Sequence, residues 1–311
     1  PSLQFFSTNP RNTFINIRGI GAPFGLTNDG FEQGVGVYVD QVFYNRIASA
    51  TLDFVDVEQI EVLRGPQGTL YGKNTTAGAI NITTRAPAFT FGGEAEVTFG
   101  NHDYRQGKVT MTGPLWGGVV AGRLSVTGTF RDGVIHNVRS GRRQNDVDNR
   151  AIHGQLLFKP NDRFSLLLSG DDSSINTDCC TQVFVRVGTT LRSAARQYPA
   201  LAAGLGYAPP SQDPHDRLTD IDAPLLVNTD DAGFSAVANW DVGFATVTSV
   251  SAWRWWNWDA ANDRDYTSIP IQLIQHIPSR QDQYSQELRI ASNGSHGVEY
   301  VAGLYYFAQT I

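Results

Sequence analysis

Val120-Ala121-Gly122-Arg123-Leu124-Ser125-Val126-Thr127-Gly128-Thr129-Phe130-Arg131 sorts by parity into two kinds of residue. Val120, Gly122, Leu124, Val126, Gly128 and Phe130 fall on one side, and Arg123, Ser125, Thr127, Thr129 and Arg131 on the other. Side chains of an extended chain alternate between faces, so this period of two predicts a strand with one apolar and one polar face. The split recurs along the chain. Gly107, Val109, Met111 and Gly113 oppose Gln106, Lys108, Thr110 and Thr112. Ala232, Phe234, Ala236, Ala238 and Trp240 oppose Asp231, Ser235 and Asn239, and Tyr284, Leu288 and Ile290 oppose Gln283, Ser285, Glu287 and Arg289. Looser runs at 94–100, 150–159, 163–171, 243–258 and 298–309 bring the predicted strands to about nine. Leu166-Leu167-Leu168 and Tyr305-Tyr306-Phe307 are apolar on both faces, so pattern alone does not orient them.

Several runs exceed the roughly 5–6 residues of a soluble strand and reach the roughly 9–11 that cross a bilayer. Tight turns at Trp116-Gly117-Gly118, Pro160-Asn161-Asp162, Val242-Gly243 and Asn293-Gly294-Ser295 alternate with longer links at 101–104, 132–146, 174–230 and 258–280. Short turns on one rim and long loops on the other are how membrane barrels are built. A soluble sandwich also alternates, but with shorter strands and no such rule for its long loops. The expectation is a transmembrane antiparallel β-barrel wall over residues 91–311. An odd strand count leaves an open edge that lipid does not tolerate, so the barrel is expected to continue beyond Ile311.

Residues 1–90 follow another grammar, that of a small mixed α/β unit. Thr13–Ile17, Val35–Val39, Ile60–Leu63 and Ala79–Thr84 predict strands, and Asp53 to Glu58 a short helical turn with acidic residues at its N-terminal end. Gly65-Pro66 stops the third strand. Composition excludes several classes. Charged residues make up 17% of the chain, the formal net charge is −6 and lysine stands only at Lys73, Lys108 and Lys159, which argues against a nucleic-acid partner. No stretch approaches the roughly 18–20 apolar residues of a membrane helix. Gly-x-Ser-x-Gly, Gly-x-x-x-x-Gly-Lys-Ser/Thr and His-Glu-x-x-His are absent, no His or Cys pair has metal-ligand spacing, and the expectation is no enzyme and no cofactor.

Three segments in order carry a family resemblance: Ile17-Arg18-Gly19, then Val37-Tyr38-Val39-Asp40, then Val57 to Arg85 with its Val62-Leu63-Arg64-Gly65-Pro66-Gln67-Gly68-Thr69-Leu70-Tyr71-Gly72 core and its Ala77-Gly78-Ala79-Ile80-Asn81-Ile82 continuation. Together they resemble the plug of TonB-dependent outer-membrane receptors. Tyr284-Ser285-Gln286-Glu287-Leu288-Arg289 looks like a barrel-strand motif of the same family. The resemblance implies a plug domain (1–90) filling a barrel of about 22 strands, seated against the polar side of its wall. It also implies active import across the outer membrane, driven by the TonB–ExbB–ExbD complex. The ligand it implies by default is a ferric siderophore. A non-iron nutrient (glycan, cobalamin or aromatic compound) is the near alternative, and a passive porin or surface adhesin the distant one.

The resemblance also suggests site residues. Arg18 and Arg64 match plug arginines that lock onto barrel carboxylates, with Glu287 one possible partner although the family's usual partners lie later in the barrel. Loops 21–33 and 41–50 include the apices that meet ligand, where Phe24, Asn28, Asp29, Phe43, Tyr44, Asn45 and Arg46 offer stacking and hydrogen bonds. Trp253, Trp255, Trp256 and Trp258 read as an interfacial girdle, some of them facing inward by alternation. Asp259, Asn262, Asp263 and Asp265 read as a solvated loop rather than a Ca²⁺ site, since the glycine of such a loop is missing. Cys179-Cys180 is either a vicinal disulfide or two free thiols.

Overall fold

The computed structural model describes residues 3–7, 12–22, 32–46, 56–271, 273–294 and 297–311. Its first part is an inner unit of short strands. β1 (Leu3–Ser7) and β2 (Thr13–Ile17) pair only with each other among the described residues. β3 (Val35–Val39), β4 (Val42–Tyr44), β5 (Val57–Arg64) and β6 (Gly78–Thr84) form a sheet in the order β4-β3-β6-β5, with β3 and β6 parallel. The β3–β4 turn rests on Asp40 (φ 47°) and Gln41 (φ 70°), the pair of positive φ values that a two-residue hairpin needs. Asp40 is held there because its carboxylate accepts the Thr84 N–H at 2.8 Å and the Thr84 hydroxyl at 2.7 Å. After Gly65-Pro66 comes a single-turn helix, α1 (Gly68–Tyr71), closed onto the sheet by the Tyr38 hydroxyl, which donates to the Tyr71 carbonyl at 2.7 Å.

Here the structure adds β1, β4 and α1 to the expected elements. It also replaces the end of the expected helical turn: Val57 and Glu58 belong to β5, while residues 53–55 lie outside the described residues. The acidic pattern that suits a helix start is outweighed by the backbone ladder from β5 to β6.

The wall follows as β7 (Gly92–Gly100), β8 (Tyr104–Trp116), β9 (Val120–Arg131), the loop strands β10 (Ile135–Asn137) and β11 (Arg143–Gln144), β12 (Val147–Asn161) and β13 (Phe164–Thr177). It continues with a loop holding α2 (Tyr198–Gly204) and β14 (Leu218–Thr219), then β15 (Leu226–Asp241), β16 (Ala245–Asp263), the loop strand β17 (Leu273–Ile274), β18 (Ser279–Ser292) and β19 (Val301–Thr310). The sheet runs β7-β8-β9-β12-β13-β15-β16-β18-β19, each long strand antiparallel to the next. These are the strands the alternation marks, in its order. The turn after β18 is longer than expected, closing where the Ser292 N–H meets the Tyr300 carbonyl at 2.9 Å. β16 reaches Asp263, whose side chain is fully buried, so the acidic segment read as a solvated loop is partly strand and partly core.

One wall face is covered by the inner unit. Thr110, Ser125, Thr127, Thr129, Thr248 and Gln283 are buried there, whereas Leu124, Val126, Phe130, Leu168, Phe234 and Leu288 are exposed on the other face. Burial also orients the ambiguous triplets: Leu167, Tyr305 and Phe307 turn inward, Leu168 and Tyr306 outward. Trp253 is exposed and Trp255 half-buried on the outer face, while Trp256 and Trp258 are buried on the inner one. On the outer face Gln286 is neutralised locally, its amide donating to Ser249 Oγ and accepting from Ser251 Oγ.

Candidate functional site

The site is the contact between inner unit and wall. Its apolar part is built from period two on both sides. Ile15, Ile17, Val35, Val37, Val39, Ile80 and Ile82 pack as one cluster with the inward wall residues Val237, Val250 and Ala252, with Leu167 against them. Around this apolar seam the wall supplies two arginines, Arg254 buried and Arg123 nearly so. Arg254 on β16 grips Asp171 with both terminal nitrogens, at 2.9 and 2.7 Å, and Asp231 at 2.6 Å. Its guanidinium also lies 4.0 Å over the ring of Tyr44. Room for it comes from Gly233, where a Cβ would stand 2.7 Å from Arg254 Nη1. The carboxylates neutralise the guanidinium, and stacking passes its position on to the inner unit.

Arg123 on β9 makes the second contact. It forks onto Asp56, with Nη2 donating at 2.9 Å and Nε pairing with the other carboxylate oxygen, which also accepts from Ser125 Oγ at 3.1 Å. Arg85 approaches the same carboxylate at 3.8 Å. Asp56 and Arg123 are nearly buried, so solvent screens this pair little. A third link runs from Gln155 on β12, whose amide donates to Thr84 Oγ1 at 2.9 Å, and on to Asp40.

Four of the expected ligand residues fall in this contact. Phe43 is buried beside Tyr38 and meets Phe307 of β19 at 5.9 Å between ring centroids, and its carbonyl accepts from Gln283 at 2.5 Å. Tyr44 lies under Arg254. The Asn45 backbone N–H donates to Gln283 at 3.2 Å and its amide to Gln309 at 2.5 Å. Arg46 donates to Gln281 at 2.7 Å and stacks 5.2 Å over Trp256. Phe24, Asn28 and Asp29 lie outside the described residues. Arg18 and Arg64 are exposed and pair with no carboxylate among the described residues, and Glu287 accepts from Arg289 on its own strand at 3.0 Å. Arg289 in turn donates to Gln41 at 3.0 Å. Among the described residues the charged contacts thus run both ways: Arg123 of the wall onto Asp56, and from the inner unit Arg46 onto Gln281 and Trp256 and Arg85 onto Glu94 at 3.4 Å. Sequence reasoning missed Arg254 and Asp56. The available signal was parity, which puts Arg123 and Arg254 on the covered face, where a charge needs a partner.

Beyond the outer ends of β9 and β13 the long links are stitched together. β10 pairs with β11 and β14, and Asp178 accepts from Gln144 at 3.5 Å and meets Arg142 at 3.5 Å, with the Asp146 carboxylate close by. Burial pushes the Asp178 carboxyl up to about 6, against the pull of Arg142. Cys179 and Cys180 are joined as a disulfide beside this knot, with Cys179 against the Val227, Trp256 and Trp258 cluster.

Residues 1–79 match the TonB-dependent receptor plug domain family. The chain is 28% identical over 303 residues to the pesticin receptor of Yersinia enterocolitica, covering 94% of this chain and 39% of that protein. It is 37% identical over 132 residues to the ferrioxamine B receptor of Salmonella typhimurium, covering 42% of this chain and 18% of that one. Its fold superposes on the ferric yersiniabactin uptake receptor FyuA from Yersinia pestis with a TM-score of 0.78 at 22% identity, covering 99% of this chain and 44% of that receptor. The ferric preacinetobactin receptor BauA from Acinetobacter baumannii gives a TM-score of 0.70 at 15% identity, covering 99% and 43%. The chain thus spans under half the length of the relatives it matches, and those relatives are receptors rather than enzymes. Residues 1–79 thus match the plug domain of TonB-dependent receptors, and the chain as a whole takes the fold of the solved uptake receptors.

Proposed function

We propose that this chain is part of an outer-membrane receptor that captures a ferric siderophore from outside and imports it with energy delivered through TonB, ExbB and ExbD. The observation that carries the proposal is the plug seated against the polar inner face of the wall by separable contacts, Arg123–Asp56 and Gln155–Thr84 among them. A passive pore has no use for such a unit. The plug, 1–90, and the wall, 91–311, act as gate and frame. Arg46 and Asn45 stand at the outer end of the plug contact, where a ligand entering between the long loops would arrive, and Phe24, Asn28 and Asp29 remain further candidates for ligand contact. Arg18, Arg64 and Glu287 remain candidates for the plug–barrel lock.

The test is uptake of radioactive iron, supplied as ferric siderophores, by cells with and without the gene, each in a TonB-competent and a TonB-deficient background. Uptake lost on removing either the gene or TonB supports the proposal. Unchanged iron uptake, with a TonB-dependent growth defect on a glycan or vitamin instead, would replace the substrate class. No defect in any uptake would overturn import itself.

A further inference from the structure

The outer face of the wall is not evenly covered by side chains. Gly113 on β8 pairs with Gly122 on β9, and Gly154 on β12 pairs with Gly170 on β13. All four point outward, because the parity that buries Ser125, Gln155 and Thr110 on the plug side sends them to the other. They form the floor of a trough of about 740 Å³ in an otherwise convex succession of Leu, Ile, Val and aromatic side chains. Leu124, Leu156 and Leu168 stand along it as walls. Phe91 leans over Gly113, Leu115 over Gly122 and Phe234 over Gly170, so closely that an added Cβ would stand 2.7, 2.7 and 3.0 Å from them.

The length and chemistry of the trough select its occupant. It runs obliquely from Leu115 on β8 across β9, β12 and β13 to Phe234 on β15, roughly 20 Å at about 4.8 Å per strand. Its backbone groups are satisfied in the ladder, so it offers hydrocarbon and no hydrogen-bonding group until its outer end. There Asp172 lines it, and Arg150 stands one outward position beyond Ile152. An apolar slot of this length with charges at its outer end fits an extended hydrocarbon chain attached to a polar head. The exposed aromatic side chains Trp240, near one rim, and Trp253, opposite Phe234, stand on the same outward face. Resting on the reading of the wall as membrane-spanning, we propose that this trough is a binding site for one acyl chain of a membrane lipid, held individually rather than as part of the exchanging lipid around the barrel.

The test is native mass spectrometry of the receptor extracted from its own outer membrane, activated stepwise until loosely held lipid is stripped. The expected spectrum is a monomer that keeps one lipid adduct. Gly154→Leu fills the floor, and its Cβ would meet only Leu124 Cδ1, at 3.8 Å. Leu124→Gln places an amide in the wall of the slot. Both variants should lose the adduct, and Leu288→Ala, elsewhere on the outer face, should keep it. Heat-modifiable electrophoretic migration reports folding of each variant, and the wild-type spectrum needs no variant. A wild type without an adduct, an adduct kept equally by Gly154→Leu, or a dimer lost on that substitution would each overturn the lipid site. Release of the protein from membranes by salt without detergent would instead overturn the membrane-spanning reading beneath it.

Discussion

Arg123 and Asp56 show what a single residue can do at this contact. Both are nearly buried, so removing one leaves the other charged in a place that cannot solvate it, at a cost of about 3–5 kcal/mol. Arg123→Leu should therefore loosen the plug, read as faster amide exchange in β6. The double variant Arg123→Leu/Asp56→Asn should recover much of the protection, because no unpaired charge remains. Equal exchange in both would mean the pair is not coupled. Asp178 behaves differently, since its carboxyl is raised to about 6 by burial. A raised folded value means that the docked loops bind a proton more tightly than the open ones. Docking is thus strongest below about pH 4, weakens as pH rises towards 6 and is level above that. Exchange in β10 and β11, corrected for its intrinsic pH dependence, should be slower at pH 5 than at pH 7.5, and Asp178→Asn should abolish the difference. Neither residue's role was legible in the sequence. Asp56 sits in a stretch whose acidic residues suggested a helix start, and its partner is 67 positions away.

At the scale of strands, legibility was high for a physical reason. A strand between lipid and plug meets two unlike environments, and period two records both. The parity of Val120–Phe130 predicted which side chains would be covered, and the same rule separated Trp253 and Trp255 from Trp256 and Trp258. It failed where both environments are apolar. Leu167 packs on Val37-side plug residues while Leu168 faces outward, and only the partner's position distinguishes them. It also could not find β4 or α1, which are too short for a period and exist because the Asp40–Gln41 turn and the Tyr38 hydroxyl hold them. For β9, parity makes a quantitative claim. Val126→Arg puts a charge on the outer face within the apolar band and should cost about 2–4 kcal/mol near the bilayer midplane, falling towards either rim. Urea unfolding from lipid vesicles would measure it, and a loss within error of zero would remove that face from the membrane.

For the whole molecule, the contact between plug and wall combines polar pairs with an apolar seam. Val237, Val250 and Ala252 enter the plug core, and each buried valine contributes about 1.5–3 kcal/mol. Polar pairs part more easily in water than such a seam does. The seam means that plug and wall move apart only if the plug core is partly rearranged as well. Gln155 and Thr84 provide a way to test whether they part at all, since their side chains meet at 2.9 Å. Cysteines at both positions, oxidised to a disulfide, should leave ligand binding intact and stop import, with import returning on reduction. Import through the oxidised tether would show that the plug does not leave this part of the wall.

The separate pairing of β1 with β2 has a mechanical consequence. Leu3 lies opposite Ile17 and Ser7 opposite Thr13, so the chain enters and leaves this hairpin at one end. Tension applied ahead of Leu3 meets its ladder one rung at a time, as in a zipper, and little force suffices. β3 and β6 are parallel, and the chain enters β3 at the end opposite to that where β6 leaves for the wall, so the same tension loads all their rungs together in shear. A pulling trace should then begin with a weak event releasing roughly 45–50 Å, the length of Leu3–Ile17 at about 3.3–3.6 Å per residue. A much stronger one should follow. The hairpin is a fuse ahead of a clamp, yielding first so that force reaches the sheet only after slack has been let out.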